Sequence, residues 1–493
     1  MDRAVGRKPV ARSGPTIAAP SSPVTRMKPG LSAWLGAARA TAAALLPPLA
    51  EAVTTMLAAL ATLLCTLPLA PGRGPAVLAV VLSLSLSRSQ LDRDLRGRLE
   101  AALALPLVGL VAVGVGLLLR HAPWLGAAAF VAGMSVPVWL RRFGPLARRA
   151  GALVALPFVT LLTVPHARAE PGGLLPAPLA PVAVALLALL WVSLCHALAR
   201  RLRLLPRVRP PEPAPAAARE GTLRPAASTR MAIQMAVALA ASFAVGYLCF
   251  AERWSWIVLT AFIVNSGNRG RLDVAHKSGL RVLGAAAGTV LALTLSLHAG
   301  AGWPTAALIL AALFLGVWLR PLGYAWWALF VTLALALLQG FAGAPPAALL
   351  WQRLEEIVIG ALIGVAAAWF VLPVRSTDML RRRLADALAA LAEALDPATA
   401  SRSPAGFVAA LERLQQAARP FRSARLLTRR LRRRQPADWA DALAACRADA
   451  VRLIEQGATP GRARQAVGQA RRALREPERL LPALQELRRA LAG

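Results

Sequence analysis

Acidic residues are scarce in this chain of 493 residues: 24 Asp and Glu stand against 57 Lys and Arg. Charged residues of both signs make up only 16%, against about 25% in an ordinary soluble domain. Yet the net charge is +33, the hydrophobic content 57% and the mean hydropathy +0.54. A water-soluble globule does not combine those values. A polytopic membrane protein does, because its cations crowd into the loops and tails on one side. Four cysteines (Cys65, Cys195, Cys249, Cys446) have no metal-ligand spacing and form no disulfide framework. The phosphate-binding pattern GxxxxGK[ST] is missing, so nothing in the chain supports ATP-driven transport. No Ser/His/Asp set or metal cluster stands out, and the expectation is a protein that is not an enzyme and carries no cofactor or metal. The basic excess is read as membrane topology, with no nucleic acid as partner.

What is present is a succession of apolar runs. A span needs about 20 apolar residues. The candidates are 49–69, 75–88, 101–119, 122–140, 150–164 and 176–198, then 231–250, 254–267, 280–298, 304–319, 323–342 and 356–373. Six plus six spans predict an all-α polytopic membrane protein of two parallel repeats with a small helical domain attached. The boundaries are a cytoplasmic tail 1–45, a first half 46–199, a linker 200–230, a second half 231–374 and a cytoplasmic helical domain 375–493. The tail shows no short h-region followed by a cleavage site, so residues 1–30 read as a disordered cytoplasmic segment. The linker contains "RVRPPEPAPAAAREG" and reads as extended.

Arginines set the direction. With the N-terminus inside, the inner loops hold Arg88, Arg93, Arg96 and Arg98, then Arg141, Arg142, Arg148 and Arg149, then eight arginines of 199–230. The loop "VNSGNRGRLDVAHKSGLR" (264–281) adds Arg269, Arg271, Lys277 and Arg281, and Arg320 follows. The outer loops carry only Arg73, Arg120, Arg168, Arg253 and Arg353. This positive-inside alternation predicts a multi-pass membrane protein with both termini cytoplasmic.

Two features point to duplication. "VWLRRFG" (138–144) recurs as "VWLRPLG" (317–323), and a basic Leu-Asp loop follows the second span of each half. An even number of spans per half places any two-fold axis along the membrane normal. After 374, "RSTDMLRRRLADALAALAEAL" has a Ser/Thr/Asp cap and helical spacing, and further helices are expected at 405–434, 437–456, 461–475 and 477–491. The run "RRLRRR" (429–434) is either a solvated helix face or a contact for anionic lipid headgroups.

The stretch "WSWIVLTAFIVNSGNRGRLDVAHKSGLRVLGAAAG" resembles the membrane repeat of the fusaric acid resistance and aromatic acid exporter family. Trp256, Thr260, Arg281, Gly284 and Gly288 fall on its motif, with Ala285 where Thr is usual. "RLEEIVIGALIGVAAAWFVLP" (353–373) resembles the family's last span through Arg353, Glu356, Gly360 and Pro373. The resemblance is strongest over 225–375. It implies an inner-membrane exporter of aromatic or other weak organic acids, or an anion channel of the same fold.

The candidate site follows from span length. The second span of each half is short, and short segments at corresponding places in two halves point to a transporter's binding site. Their polar residues are Ser83, Ser85 and Ser87, then Thr260, Asn265 and Ser266. Ser83, Ser87, Trp256, Thr260, Asn265 and Arg281 are therefore the candidate contacts for a small organic anion. The competing readings are local: backbone-bonded serines, Trp254 and Trp256 as interface anchors, Arg281 as a topology signal at the start of a span. Glu356 and Glu51 are candidate proton-coupling acids, against solvated or Arg353-paired carboxylates near span ends. Gly284, Gly288, Gly360 and Gly364 are read as close-packing positions. His196 is read as interfacial. Proton-driven efflux is the first functional reading. A passive anion channel and a membrane scaffold without transport are the alternatives.

Overall fold

The computed structural model describes residues 31–89, 95–144, 151, 154–155, 157–159, 161–162, 174–176, 179–205, 226–250, 253–267, 269–296, 302–341, 346–398, 403–428, 435–457 and 461–492. Every element among them is helical. In chain order the first half carries α1 (Leu31–Leu69), α2 (Arg73–Ser89), α3 (Leu95–His121), α4 (Pro123–Leu140) and α5 (Ala180–Arg201). The second carries α6 (Ala227–Cys249), α7 (Trp254–Asn265), α8 (Arg271–Ser296), α9 (Trp303–Leu319), α10 (Tyr324–Phe341) and α11 (Pro346–Phe370). Then come α12 (Ser376–Ala394), α13 (Ala405–Thr428), α14 (Pro436–Ala445), α15 (Arg447–Glu455), α16 (Gly461–Ala473) and α17 (Pro477–Ala492).

Seven helices among the described residues are long and apolar enough to cross a membrane, and three more (Gly74–Arg88, Trp254–Asn265, Tyr324–Leu338) are apolar but shorter. The chain is a multi-pass membrane protein. Of the expected fifth span, 150–164, only 151, 154–155, 157–159 and 161–162 are among the described residues, and 1–30, most of the linker 200–230 and the run 429–434 lie outside them.

Three boundaries differ from the sequence reading. The expected tail 1–45 already turns helical at Leu31, where α1 begins. The basic loop 264–281 shrinks to a turn at 266–270, because α8 starts at Arg271 rather than near 280. Gly270 takes φ 129, Asp273 Oδ2 accepts the Arg269 N–H at 3.0 Å, and Lys277 pairs with Asp273 one turn on. Arg271, Asp273, Lys277 and Arg281, which read as loop, thus belong to the first turns of α8. Likewise α11 starts at Pro346, ten residues before the expected 356, so its first turns carry Arg353, Glu355 and Glu356.

Glycines let the second half close up. A Cβ on Gly284 or Gly288 would lie 2.6 Å from the Ala325 or 2.4 Å from the Leu329 carbonyl oxygen of α10. One on Gly360 would lie 2.4 Å from the Ile257 carbonyl oxygen of α7. Without side chains there, α8 meets α10 and α11 meets α7 backbone to backbone. The packing pairs correspond between the halves: α2 and α3 pack on α5, as α7 and α8 pack on α11. The motif 138–144 ends in a 3₁₀ turn, Arg141–Phe143, and its counterpart 317–323 in another, Arg320–Leu322.

The halves meet along an aromatic seam. Phe130 of α4 packs on Phe243 of α6 (5.5 Å between centroids), and Phe243 on Trp254 of α7 (5.1 Å). Helices α12 to α17 surround a core of their own, built from positions at helical spacing: Leu380, Leu384, Leu388 and Leu391, then Phe407, Leu411 and Leu414, then Leu480, Leu484, Leu487 and Leu491. The expected helix 437–456 breaks at Cys446 into α14 and α15. Ser376 does not cap α12. Its hydroxyl accepts the Leu272 N–H of α8 at 3.0 Å, while the Arg271 N–H reaches the Val374 carbonyl.

Candidate functional site

The second half is built around α7, whose twelve residues rise only about 18 Å against a hydrocarbon core of about 30 Å. Trp254 to Ala261, Val264 and Asn265 are all buried. Gly267 (φ 62) ends the helix, with the Ser266 hydroxyl donating to the Ile263 carbonyl. A helix this short, enclosed by α6 and α11, leaves part of the membrane's depth to side chains from its neighbours.

Those side chains are charged. Among the described residues the buried ones with a formal charge are Arg281 (1% exposed), Arg353 (2%) and Glu356 (2%). Arg281 is the eleventh residue of α8, roughly 15 Å from its start, and Arg353 lies seven residues into α11, roughly 10 Å. The sequence reading placed Arg281 at the opening of a span and Glu356 near an end. Both lie inside a helix and are buried, because α8 and α11 begin earlier than hydropathy indicates. The Arg281 and Arg353 guanidinium groups act on each other electrostatically. The Arg353 guanidinium carbon stands 3.7 Å from the centroid of Trp256, so its planar face lies on the indole. Glu356 sits beneath, 3.8 Å from Arg253 Nε, and Arg253 also hydrogen-bonds Gln352. The Tyr324 hydroxyl is buried beside Arg281.

The hydroxyls nearby complete the picture. Thr260 (α7), Ser278 and Thr289 (α8) and Thr332 (α10) have buried hydroxyl oxygens without a protein partner among the described residues, as has Arg281 Nε. An orphaned buried polar atom calls for water or a ligand.

The expected contacts thus divide. Trp256, Thr260, Asn265 and Arg281 lie in the second half, on the adjoining helices α7 and α8. Trp254 and Trp256 are both 8% exposed, which removes the interface-anchor reading: Trp254 stacks on Phe243, and Trp256 carries Arg353. Asn265 donates to the Ala261 carbonyl at 3.0 Å and its Oδ1 is left over. In the first half, the Ser83 hydroxyl donates to the Ala79 carbonyl (2.8 Å) and lies 3.1 Å from Thr62 Oγ1, whereas the Ser87 hydroxyl is buried without a partner. Glu51 is exposed on α1 and has Arg88 and Arg320 as electrostatic neighbours. Of the acid pair opening α11, Glu355 is exposed and Glu356 buried.

Sequence reading counted Arg353 as an outer-loop cation and Arg88 and Arg320 as inner-loop cations. Arg353 had a usable signal, an Arg–Glu pair at i,i+3 within an apolar segment. Arg88 had none, since its aromatic neighbour, Trp327, is 239 residues away in the chain.

Residues 235–367, which hold α7, Arg281, Tyr324, Arg353 and Glu356, match the family model described as fusaric acid resistance protein-like. No curated protein and no solved structure matches the chain.

Proposed function

We propose, from a chain whose residues 235–367 form a fusaric acid resistance protein-like domain, that the protein exports aromatic or other weak organic acids across the bacterial inner membrane. The observation that carries the reading is the buried charge: among the described residues two buried guanidinium groups stand against one buried carboxylate, with orphaned hydroxyls on α7, α8 and α10. Burying an unbalanced cation is costly, and an arriving anion removes that cost. A guanidinium such as that of Arg281 has the planar fork that takes a carboxylate through two parallel hydrogen bonds. Trp256 and Tyr324 make the surroundings aromatic, which suits a ring-bearing acid.

In this reading the two halves are six-span repeats related about the membrane normal, with both termini, the linker and the α12 to α17 domain in the cytoplasm. Glu356 supplies the coupling. Lying 3.8 Å from Arg253 Nε and acting electrostatically on Arg353, it takes a proton from outside as the anion is released there, so that proton entry is exchanged for anion exit. The bound molecules are a bilayer and a small organic anion.

The test is flux of 4-sulfobenzoate, an aromatic anion that does not cross lipid by itself, in proteoliposomes of the full chain. Export should saturate and should accelerate when a proton gradient is imposed. Flux indifferent to the gradient and saturating poorly supports the channel alternative. No flux above protein-free liposomes refutes transport and leaves a scaffold.

A further inference from the structure

A second arginine lies on a second tryptophan, and this pair joins the halves. The Arg88 guanidinium carbon, at the end of α2, is 5.2 Å from the ring centroid of Trp327 on α10. Unlike Arg353, Arg88 is exposed. It is not a solvated surface charge of the ordinary kind, because its electrostatic neighbours are Arg320, Tyr324 and Glu51, drawn from the turn before α10, from α10 and from α1. Tyr324 is in turn the neighbour of Arg281. Ser87, the residue before Arg88, is 3% exposed with its hydroxyl unpartnered.

Two cations, Arg88 and Arg320, therefore gather near one exposed carboxylate, Glu51, and a third, Arg281, adjoins them through Tyr324. Like charges held together cost free energy, more so where helices exclude water. Two of the three cations come from the second half, and the third reaches across from the first.

We infer that Arg88, Trp327, Arg320 and Ser87 form a second anion site, distinct from the one at Arg353, which captures the organic anion at the inner mouth and passes it through Tyr324 to Arg281. The inference rests on the transport reading and adds a residue of the first half to the route. The ring holds the guanidinium near it by a cation–π contact, and the guanidinium N–H groups are donors for the carboxylate or sulfonate. The indole offers a ring surface for an aromatic substrate. Arg320 supplies long-range attraction, and the Ser87 hydroxyl a donor. Glu51, exposed beside both arginines, holds their charge while the site is empty and swings to solvent when it fills.

The experiment uses membrane vesicles of both orientations containing the full chain. Inside-out vesicles present the cytoplasmic face to added substrate, and right-side-out vesicles the other. The probes are labelled 4-sulfobenzoate and sulfoacetate, which keeps both acid groups without the ring. Arg88→Gln should raise the half-saturating 4-sulfobenzoate concentration about tenfold at the cytoplasmic face, the worth of one charge-assisted bidentate contact, and leave it unchanged at the other face. Trp327→Leu, which keeps every charge, should abolish the preference for 4-sulfobenzoate over sulfoacetate at that face. If Arg88→Gln fails to insert, Trp327→Leu decides alone. Unchanged half-saturation in Arg88→Gln, or an unchanged ring preference in Trp327→Leu, overturns the second site while wild-type flux keeps the transport reading. An equal shift at both faces also overturns it, since the residue then acts on the whole fold. A wild type without flux overturns both.

Discussion

The Arg353 guanidinium lies face-on to the Trp256 ring at 3.7 Å, with both side chains withdrawn from solvent. One residue comes from the shortest apolar helix of the second half and the other from its last. The contact ties α7 to α11 inside the second half. A desolvated cation–π contact is worth about 2 kcal/mol. Trp256→Leu should therefore lower the thermal midpoint in detergent and reduce 4-sulfobenzoate flux, whereas Trp256→Phe should retain part of both. Equal behaviour of the two variants would show that the ring's electrons do nothing for Arg353.

Arg281→Lys separates topology from recognition. Insertion reads charge, so abundance should stay near the wild-type level. Lysine lacks the planar fork, and export should fall about tenfold. Tolerance of an exporter-deleted host to an aromatic acid, with protein level measured alongside, gives the answer. Wild-type export from Arg281→Lys would make this arginine a topology signal only.

Glu356→Gln fixes the neutral form of the one buried carboxylate. Downhill exchange of 4-sulfobenzoate should continue, and accumulation driven by a proton gradient should disappear. A variant that still accumulates substrate against its gradient removes Glu356 from the coupling step.

The native cysteines report orientation. Cys249 is exposed at the end of α6, on the predicted outer side. Cys446 is fully buried between α14 and α15, and burial pushes its thiol up to about 11. At pH 7 Cys446 is then almost wholly protonated and unreactive. With Cys65 and Cys195 replaced by Ser, an impermeant maleimide should label intact cells at Cys249 alone. Labelling that appears only after permeabilisation would invert the topology. Cys446 should become reactive only on denaturation.

The glycines allow a paired stability test. Gly360→Ala pushes a methyl to within 2.4 Å of the Ile257 carbonyl oxygen and should cost about 1–3 kcal/mol. Gly279→Ala meets nothing within 4 Å in mid-helix and should be neutral or stabilising by up to about 1 kcal/mol. Thermal unfolding of the two purified variants compares them directly. Equal midpoints would mean that α7 and α11 do not approach as closely as described.

Legibility in the sequence followed the range of the forces involved. The brevity of α7, the small-residue contacts of Gly284, Gly288 and Gly360, and the helical periodicity after 374 are local patterns, and hydropathy with spacing finds them. The depth of Arg353 and Glu356 escapes it. A hydropathy window treats each charge as a mark of water, so it begins the last span after them, whereas in the fold Trp256 and Arg253 from elsewhere in the chain make burial tolerable. The same bias hid the first turns of α8, where Asp273 and Lys277 read as loop. Arg88 with Trp327 is a contact between halves, and no local pattern encodes it. Ser83 was legible only as a polar residue; its bond to Ala79 is a property of the helix.

The clasp of Ser376 on Leu272, with Val374 on Arg271, closes a loop of about a hundred residues from the foot of α8 to the domain that follows α11. The hydrogen-bonding needs at the start of α8 are thus met by a segment whose position α12 to α17 determine. Stability in the two parts is then a shared quantity. Loosening the helical domain withdraws a cap from the helix that holds Arg281, and strain at Arg281 is felt in the domain's melting. A molecule that tightened the domain would, by the same linkage, raise the cost of any movement that carries α8 away from its clasp.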